Sequence, residues 1–278
     1  MSMSMPSTPA FSPRLPRRLL GLLLTLGLVG CVGRGVHHKA RGNVLFHNGD
    51  IAGAIVEYRA ALAAAPGDAG AYTLLGNALF EQGQYEPAAQ AFQGALTRDP
   101  QAREARRGLA TCQLRLGRTA EAEAGFAALI KSHRGDYEAE AALGKLLLAR
   151  GDLDGAEQHF REALRWVQND PPTLYALGLA LARKTEQAQA LEIFGRLDGA
   201  APGQPYAAYG RAVTYARSGR KEEALQWLGR ALERGVDSLD EVTSDPDLAS
   251  LRDDPRFGSL VAEARKRAPP RPTKKGPL

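Results

Sequence analysis

Ala54, Ala88, Ala122, Ala156, Ala190 and Ala224 follow one another in steps of 34 residues, and Tyr58, Phe92, Phe126, Phe160, Phe194 and Leu228 keep the same step. So do Gly49, Gly83, Gly117, Gly151 and Gly219, with Thr185 standing in for the fifth member. A period of this length, held over six registers, marks stacked helical repeats, none of which can bury its apolar face alone. Such an array offers an extended surface rather than a closed reaction centre, which directs the functional question toward binding.

The second repeat, residues 69–102, shows why each period folds as two helices. Tyr72, Leu75, Gly76 and Leu79 fall at helical spacing and form one apolar face. Gly83 stands where that helix must stop, because glycine accepts the left-handed conformation of a helix end. Tyr85, Ala88, Ala89, Phe92, Ala95 and Leu96 form the apolar face of a second helix, and Asp99-Pro100 ends it. Gly76 and Ala88 are expected to be small so that the two helix backbones can approach.

These positions resemble the tetratricopeptide repeat. Its small eighth residue appears as Gly42, Gly76, Ala110, Gly144, Gly178 and Ala212, and its small twentieth residue is alanine in all six repeats. The twenty-seventh is Ala61, Ala95, Leu129, Ala163, Leu197 or Ala231; the closing proline survives as Pro66 and Pro100. The resemblance implies an all-α fold, a right-handed α-solenoid of about six helix pairs over residues 35–238, with a C-terminal helical cap. The fifth repeat departs most, with Thr185 for the turn glycine and Gln187 for a hydrophobe, and its turn is expected to be looser.

Residues 1–30 stand outside the period. Arg14, Arg17 and Arg18 precede an apolar run from Leu19 to Val29, too short to span a bilayer and patterned like a secretory signal. It ends in Leu28-Val29-Gly30-Cys31, which resembles the bacterial lipobox. That resemblance implies that Cys31 becomes the lipid-bearing first residue, with residues 31–34 as a short tether. Val32, in place of an aspartate, resembles the pattern of an outer-membrane destination on the periplasmic side. An ordinary secretory signal is the alternative reading of the same residues. The remaining cysteine, Cys112, would have no disulfide partner and reads as a small buried hydrophobe.

The formal charge of +5 belongs to the chain ends. From Cys31 to Glu263 there are 27 basic against 31 acidic residues, a formal −4. A nucleic-acid binder carries its basic stripe on the folded surface, so that class is excluded for the repeat body. Past it, Ser244-Asp245-Pro246-Asp247 and Asp253-Asp254-Pro255 read as caps of helices that begin with proline, not as a metal site. Leu248, Leu251, Phe257 and Leu260 would cover the last repeat within a cap at residues 239–267. Residues 268–278, basic and rich in proline, are expected to be disordered.

In the tetratricopeptide family the first helix of each pair lines the concave surface, with places 2, 5, 9, 12 and 13 pointing into it. The resemblance therefore implies a partner-binding groove holding Asn43, Phe46, Asn77, Phe80, Leu114 and Leu148. Asparagine both donates to and accepts from a peptide backbone, and phenylalanine supplies apolar area. Tyr175, Arg183, Tyr206, Tyr209 and Arg217 form a second surface, suited to an acidic or aromatic partner residue. The alternative is that these side chains pack against one another. The carboxylate clamp of chaperone-binding relatives matches only at Lys39 and Asn43; Leu74, Glu104 and Gly108 occupy its other places.

No nucleophile elbow, phosphate loop or His-Glu-x-x-His motif occurs, so neither catalytic residues, a small-molecule substrate nor a cofactor is expected. His37, His38, His47, His133 and His159 read as surface residues, and no metal site is expected. The chain resembles six-repeat lipoproteins that help pilus secretins assemble in the outer membrane. That implies a lipid-anchored scaffold binding a secretin or another envelope-machine subunit. The alternative is a periplasmic adaptor that recruits a peptidoglycan or polysaccharide enzyme.

Overall fold

The computed structural model describes residues 33–267, and within them every regular element is helical. The chain divides between Arg118 and Thr119 into two compact units. The first holds α1 (33–47), α2 (Ile51–Ala64), α3 (Ala69–Glu81), α4 (Tyr85–Arg98) and α5 (Arg103–Arg115). The second holds α6 (Thr119–Ser132), α7 (Tyr137–Arg150), α8 (Leu153–Trp166), α9 (Pro171–Arg183), α10 (Gln187–Ala200), α11 (Tyr206–Arg217) and α12 (Lys221–Arg234). It closes with α13 (Leu239–Ser244), a 3-10 turn (Pro246–Leu251) and α14 (Pro255–Arg267). Helix α1 takes in Gly33 and Arg34, which the expected tether had included. Cys31 and the basic tail at 268–278 lie outside the described residues. No described helix is long and apolar enough to cross a membrane.

Local chemistry explains the helix boundaries. Asp50, Asp68, Asp136, Asp152 and Asp170 each accept a hydrogen bond from the backbone N–H three residues on, satisfying a donor that the first helical turn leaves open. At the α3 end, Gly83 has a φ of +77°, and its N–H donates to the Phe80 carbonyl at 2.9 Å. Thr185 adopts the same left-handed region, with a φ of +63°, and donates to Ala182 at 3.2 Å. The α9–α10 turn is therefore not looser than the others. It keeps their geometry at the cost of a strained β-branched residue.

The buried aromatic series forms the spine of both units. Tyr58 and Phe92 in the first, and Phe126, Phe160, Phe194 and Leu228 in the second, are all but excluded from solvent. Burying each such ring stabilises the fold by about 1.5–3 kcal/mol. Gly76 is small for a reason other than backbone approach: a Cβ there would stand 2.6 Å from Phe92 Cε1. The glycine thus seats the ring of the following helix. Gly144 does the same for Phe160, and Gly178 for Phe194.

Cys112 is a free thiol with no exposed surface, as its apolar surroundings require. Burial, with a smaller push from Glu86, raises its pKa to about 11. At the other end, Leu248, Leu251 and Phe257 are buried, with the 3-10 turn packed on α11 and α14 on α12. Leu260 is half-buried against Gly229.

Candidate functional site

In the first unit a groove of about 500 Å³ runs over the first helices α1, α3 and α5. Lys39 and Asn43 line it from α1, Gly70, Thr73 and Leu74 from α3, and Arg103 and Glu104 from α5. Its chemistry is mixed rather than aromatic. Lys39 is held by Asp68 at 2.6 Å, and the Asn43 amide oxygen accepts from the Tyr58 hydroxyl at 2.8 Å. Thr73 turns its hydroxyl inward to the Ala69 carbonyl. Leu74 and Glu104 do reach this groove, at the clamp places where neither can grip a carboxylate.

Of the other residues expected in the groove, Phe46 and Phe80 are half-buried rings packed against the core of the unit, and neither lines the cavity. Phe80 leans on Tyr85 with ring centroids 5.3 Å apart, and the Arg115 guanidinium stands 5.9 Å from its centre. Asn77 and Leu114 are exposed; Leu148 is half-buried on α7 of the second unit. Gly70, Thr73 and Arg103 also line it, and the expected groove had not named them. Gly70 and Thr73 stand at places 2 and 5, but glycine and threonine do not advertise a binding row.

The second unit brings Tyr175, Arg183, Tyr206, Tyr209 and Arg217 together, as the repeat register indicated. The acidic groups they meet belong to the same chain. Asp247, almost fully buried, accepts from Arg183 Nε at 2.9 Å and from Arg217 Nη1 at 2.7 Å. Arg217 also donates to the carbonyls of Ala182 and Arg183 at 3.1 Å each, closing the open end of α9. Tyr209 donates to Asp245, and Tyr206 donates to Asp237 at 2.9 Å. Asp245 still caps the 3-10 turn through the Asp247 N–H at 2.8 Å. The terminal aspartates are therefore both caps and tertiary partners, so the capping explanation was incomplete.

Beside these contacts lies a cavity of about 310 Å³ between α9, α11 and the α13 segment. Tyr175, Tyr206 and Tyr209 form its walls, with Asp237, Glu241 and Asp245 at its edge. The Tyr175 and Tyr206 rings are inclined at 59° with centroids 5.8 Å apart. Burial, reinforced by neighbouring carboxylates, holds the Tyr175 and Tyr209 phenols well above the usual tyrosine range. Both stay neutral, and Tyr209 donates its hydroxyl hydrogen to Asp245.

Two histidines meet carboxylates that sequence spacing had hidden. His38 Nδ1 lies 2.6 Å from Glu57, and His159 Nδ1 lies 2.7 Å from Glu140. Both pairs bridge places 4 and 23 of a repeat, with the residue types exchanged. The hydrogen bond with His38 holds the Glu57 carboxyl below its usual range. Among the described residues no group of three or more histidine, cysteine or acidic side chains is placed to hold a metal ion.

Sequence profiles described as tetratricopeptide repeat match residues 42–83, 79–146, 137–162 and 205–230. No curated protein sequence matches the chain. Among solved structures, the fold is similar to YrrB, described as a tetratricopeptide protein with an unusual peptide-binding site (TM-score 0.56, 22% identity, 75% of this chain and 97% of that one). It is similar to PilF of Pseudomonas aeruginosa (TM-score 0.65, 16% identity, 76% of this chain and 96% of that one). It is also similar to PilW, a widely conserved type IV pilus biogenesis factor (TM-score 0.64, 16% identity, 77% of this chain and 96% of that one). At these identities the likeness is one of fold.

Proposed function

Because this chain belongs to the tetratricopeptide-repeat family, we propose that it is a lipid-anchored scaffold at the periplasmic face of a bacterial outer membrane. There it grips protein partners and assists assembly of a machine of the pilus-secretin kind. The observation that carries the binding role is the groove on α1, α3 and α5, about 500 Å³ in volume. Its lining of Asn43, Leu74, Arg103 and Glu104 offers apolar area and both signs of charge, which suits a peptide segment. The fold shared with PilF and PilW over most of their lengths supports the choice of machine.

The anchor rests on the resemblance of Leu28-Val29-Gly30-Cys31 to a lipobox, and Gly33, two residues on, is already helical. A link of so few residues spans about 7 Å. A lipid on Cys31 would therefore hold the first repeat against the bilayer, beside membrane-embedded partners. Cys31→Ala is expected to release the protein from membranes and abolish acyl labelling; unchanged fractionation would remove the anchor from the proposal.

Affinity capture from solubilised envelopes tests the partner. Intact protein is compared with an Arg103→Glu, Glu104→Arg double variant, both positions being exposed. A secretin retained by the intact protein alone, and secretin monomers in a deletion strain, are the expected results. Normal multimers in the deletion strain would sink the assembly role. Retention of a peptidoglycan or polysaccharide enzyme instead would assign the chain to the adaptor class.

A further inference from the structure

We propose that the tyrosine-walled cavity of the second unit receives a basic side chain, arginine or lysine, from an extended segment of a protein partner. The repeat register suggested the opposite charge, because Arg183 and Arg217 stand close by. Both are already committed to Asp247, and Arg217 also to two α9 carbonyls. Arg252 is turned to the Asp245 backbone carbonyl at 2.8 Å. What remains on the cavity lining is Asp237, Glu241 and Asp245, with no lysine or arginine among them. An acidic or phosphate-bearing occupant would be repelled; a cation is drawn in.

The walls favour the same occupant. The Tyr175 and Tyr206 rings meet as an open corner, and Tyr206 keeps 38% of its surface exposed. Aromatic faces attract a cation electrostatically, and a planar guanidinium can stack on one while its N–H groups reach a carboxylate. Tyr206 and Tyr209 each donate to one of the carboxylates, holding Asp237 and Asp245 in place. A carboxylate carries about four acceptor sites, so these bonds leave room for an incoming N–H. A volume of about 310 Å³ accommodates a long side chain. A bare divalent cation is a poorer fit, since the described carboxylates include no metal-holding group of three.

This site shares no residue with the groove of the first unit, so its failure and that of the groove are separately visible. The test measures fluorescence anisotropy of the labelled peptide Gly-Ser-Pro-Arg-Pro-Ser-Gly with the full chain. Counterparts carry lysine, glutamine or glutamate in place of arginine. The arginine and lysine peptides are expected to bind. Asp237→Asn with Glu241→Gln, and separately Tyr206→Ala, should weaken binding about tenfold or more. All three positions are exposed, so the variants should keep the wild-type circular dichroism and melting temperature.

Equal binding of the glutamine and glutamate peptides, or affinity unchanged in both variants, would overturn the proposal. So would no binding of either basic peptide up to about 1 mM. Binding that appears only after residues 268–278 are removed would overturn the partner assignment. The occupant would then be the chain's own basic terminus.

Discussion

Arg217 and Asp247 meet at 2.7 Å across thirty residues of sequence, and that contact joins the last repeat to the segment that covers it. Asp247 takes a second guanidinium, Arg183, on its other oxygen. The carboxylate is 7% exposed, while each arginine keeps about a third of its surface in water. Removing the acid strands two cations that water reaches only in part. Asp247→Ala is therefore expected to destabilise the second unit by about 2–4 kcal/mol, the exposure of the arginines trimming the cost of a fully buried pair. Urea denaturation followed by circular dichroism measures it. An unchanged midpoint would mean that packing of Leu248 and Leu251 alone holds the cap.

The seat of Phe92 on Gly76 makes that glycine intolerant of volume. Gly76→Leu is expected to cost about 1–3 kcal/mol, since the ring has no free side to move into. Gly199→Ala is the control, because nothing stands within 4 Å of a Cβ placed there. The control should change stability far less. Equal losses at the two positions would rule out ring packing as the cause, since helix propensity favours both replacements.

Thr185 holds its left-handed backbone without the freedom of a glycine. Thr185→Gly is expected to stabilise the protein by about 0.5–1 kcal/mol, the relieved strain exceeding the entropy that glycine adds to the unfolded chain. Thermal melting reads this as a rise of a few degrees. A lower melting temperature would mean that the threonine side chain contributes more than its backbone costs.

Arg256 governs the acid response of the cap. Its guanidinium hydrogen bond, helped by its backbone N–H, lowers the Asp254 pKa from the ordinary 3.8 to about 2. It also lowers that of Glu222. Because the folded-state values lie below the unfolded ones, this stabilisation is present in full above the ordinary carboxylate range. It fades as pH falls from about 4 toward 2. The melting-temperature difference between wild type and Arg256→Met should therefore be constant near neutral pH and shrink across that interval. A gap that widens on acidification would reverse the sign and refute the assignment.

The repeat period, and the start and stop of the two helices in residues 69–102, were legible from the amino-acid sequence alone. So was the series from Tyr58 to Leu228 as the buried spine. These properties depend on local propensity and on spacing within one repeat, and spacing survives in any correct alignment of the chain with itself. Tertiary structure decided which side of each face meets water. Phe46 and Phe80 occupy a place that faces the groove in register yet rest on the core, because a ring reaches further than its Cα position indicates. It also decided the partners of Arg183 and Arg217. Asp247 lies outside the period, so no register could place it, and only folding of the terminal segment brings its carboxylate to them. Asp247 occupies both arginines, and Asp237, Glu241 and Asp245 make the tyrosine-lined cavity beside them acidic. Charge at a site is the sum over everything packed around it, and the sequence orders those groups along a line instead of in space.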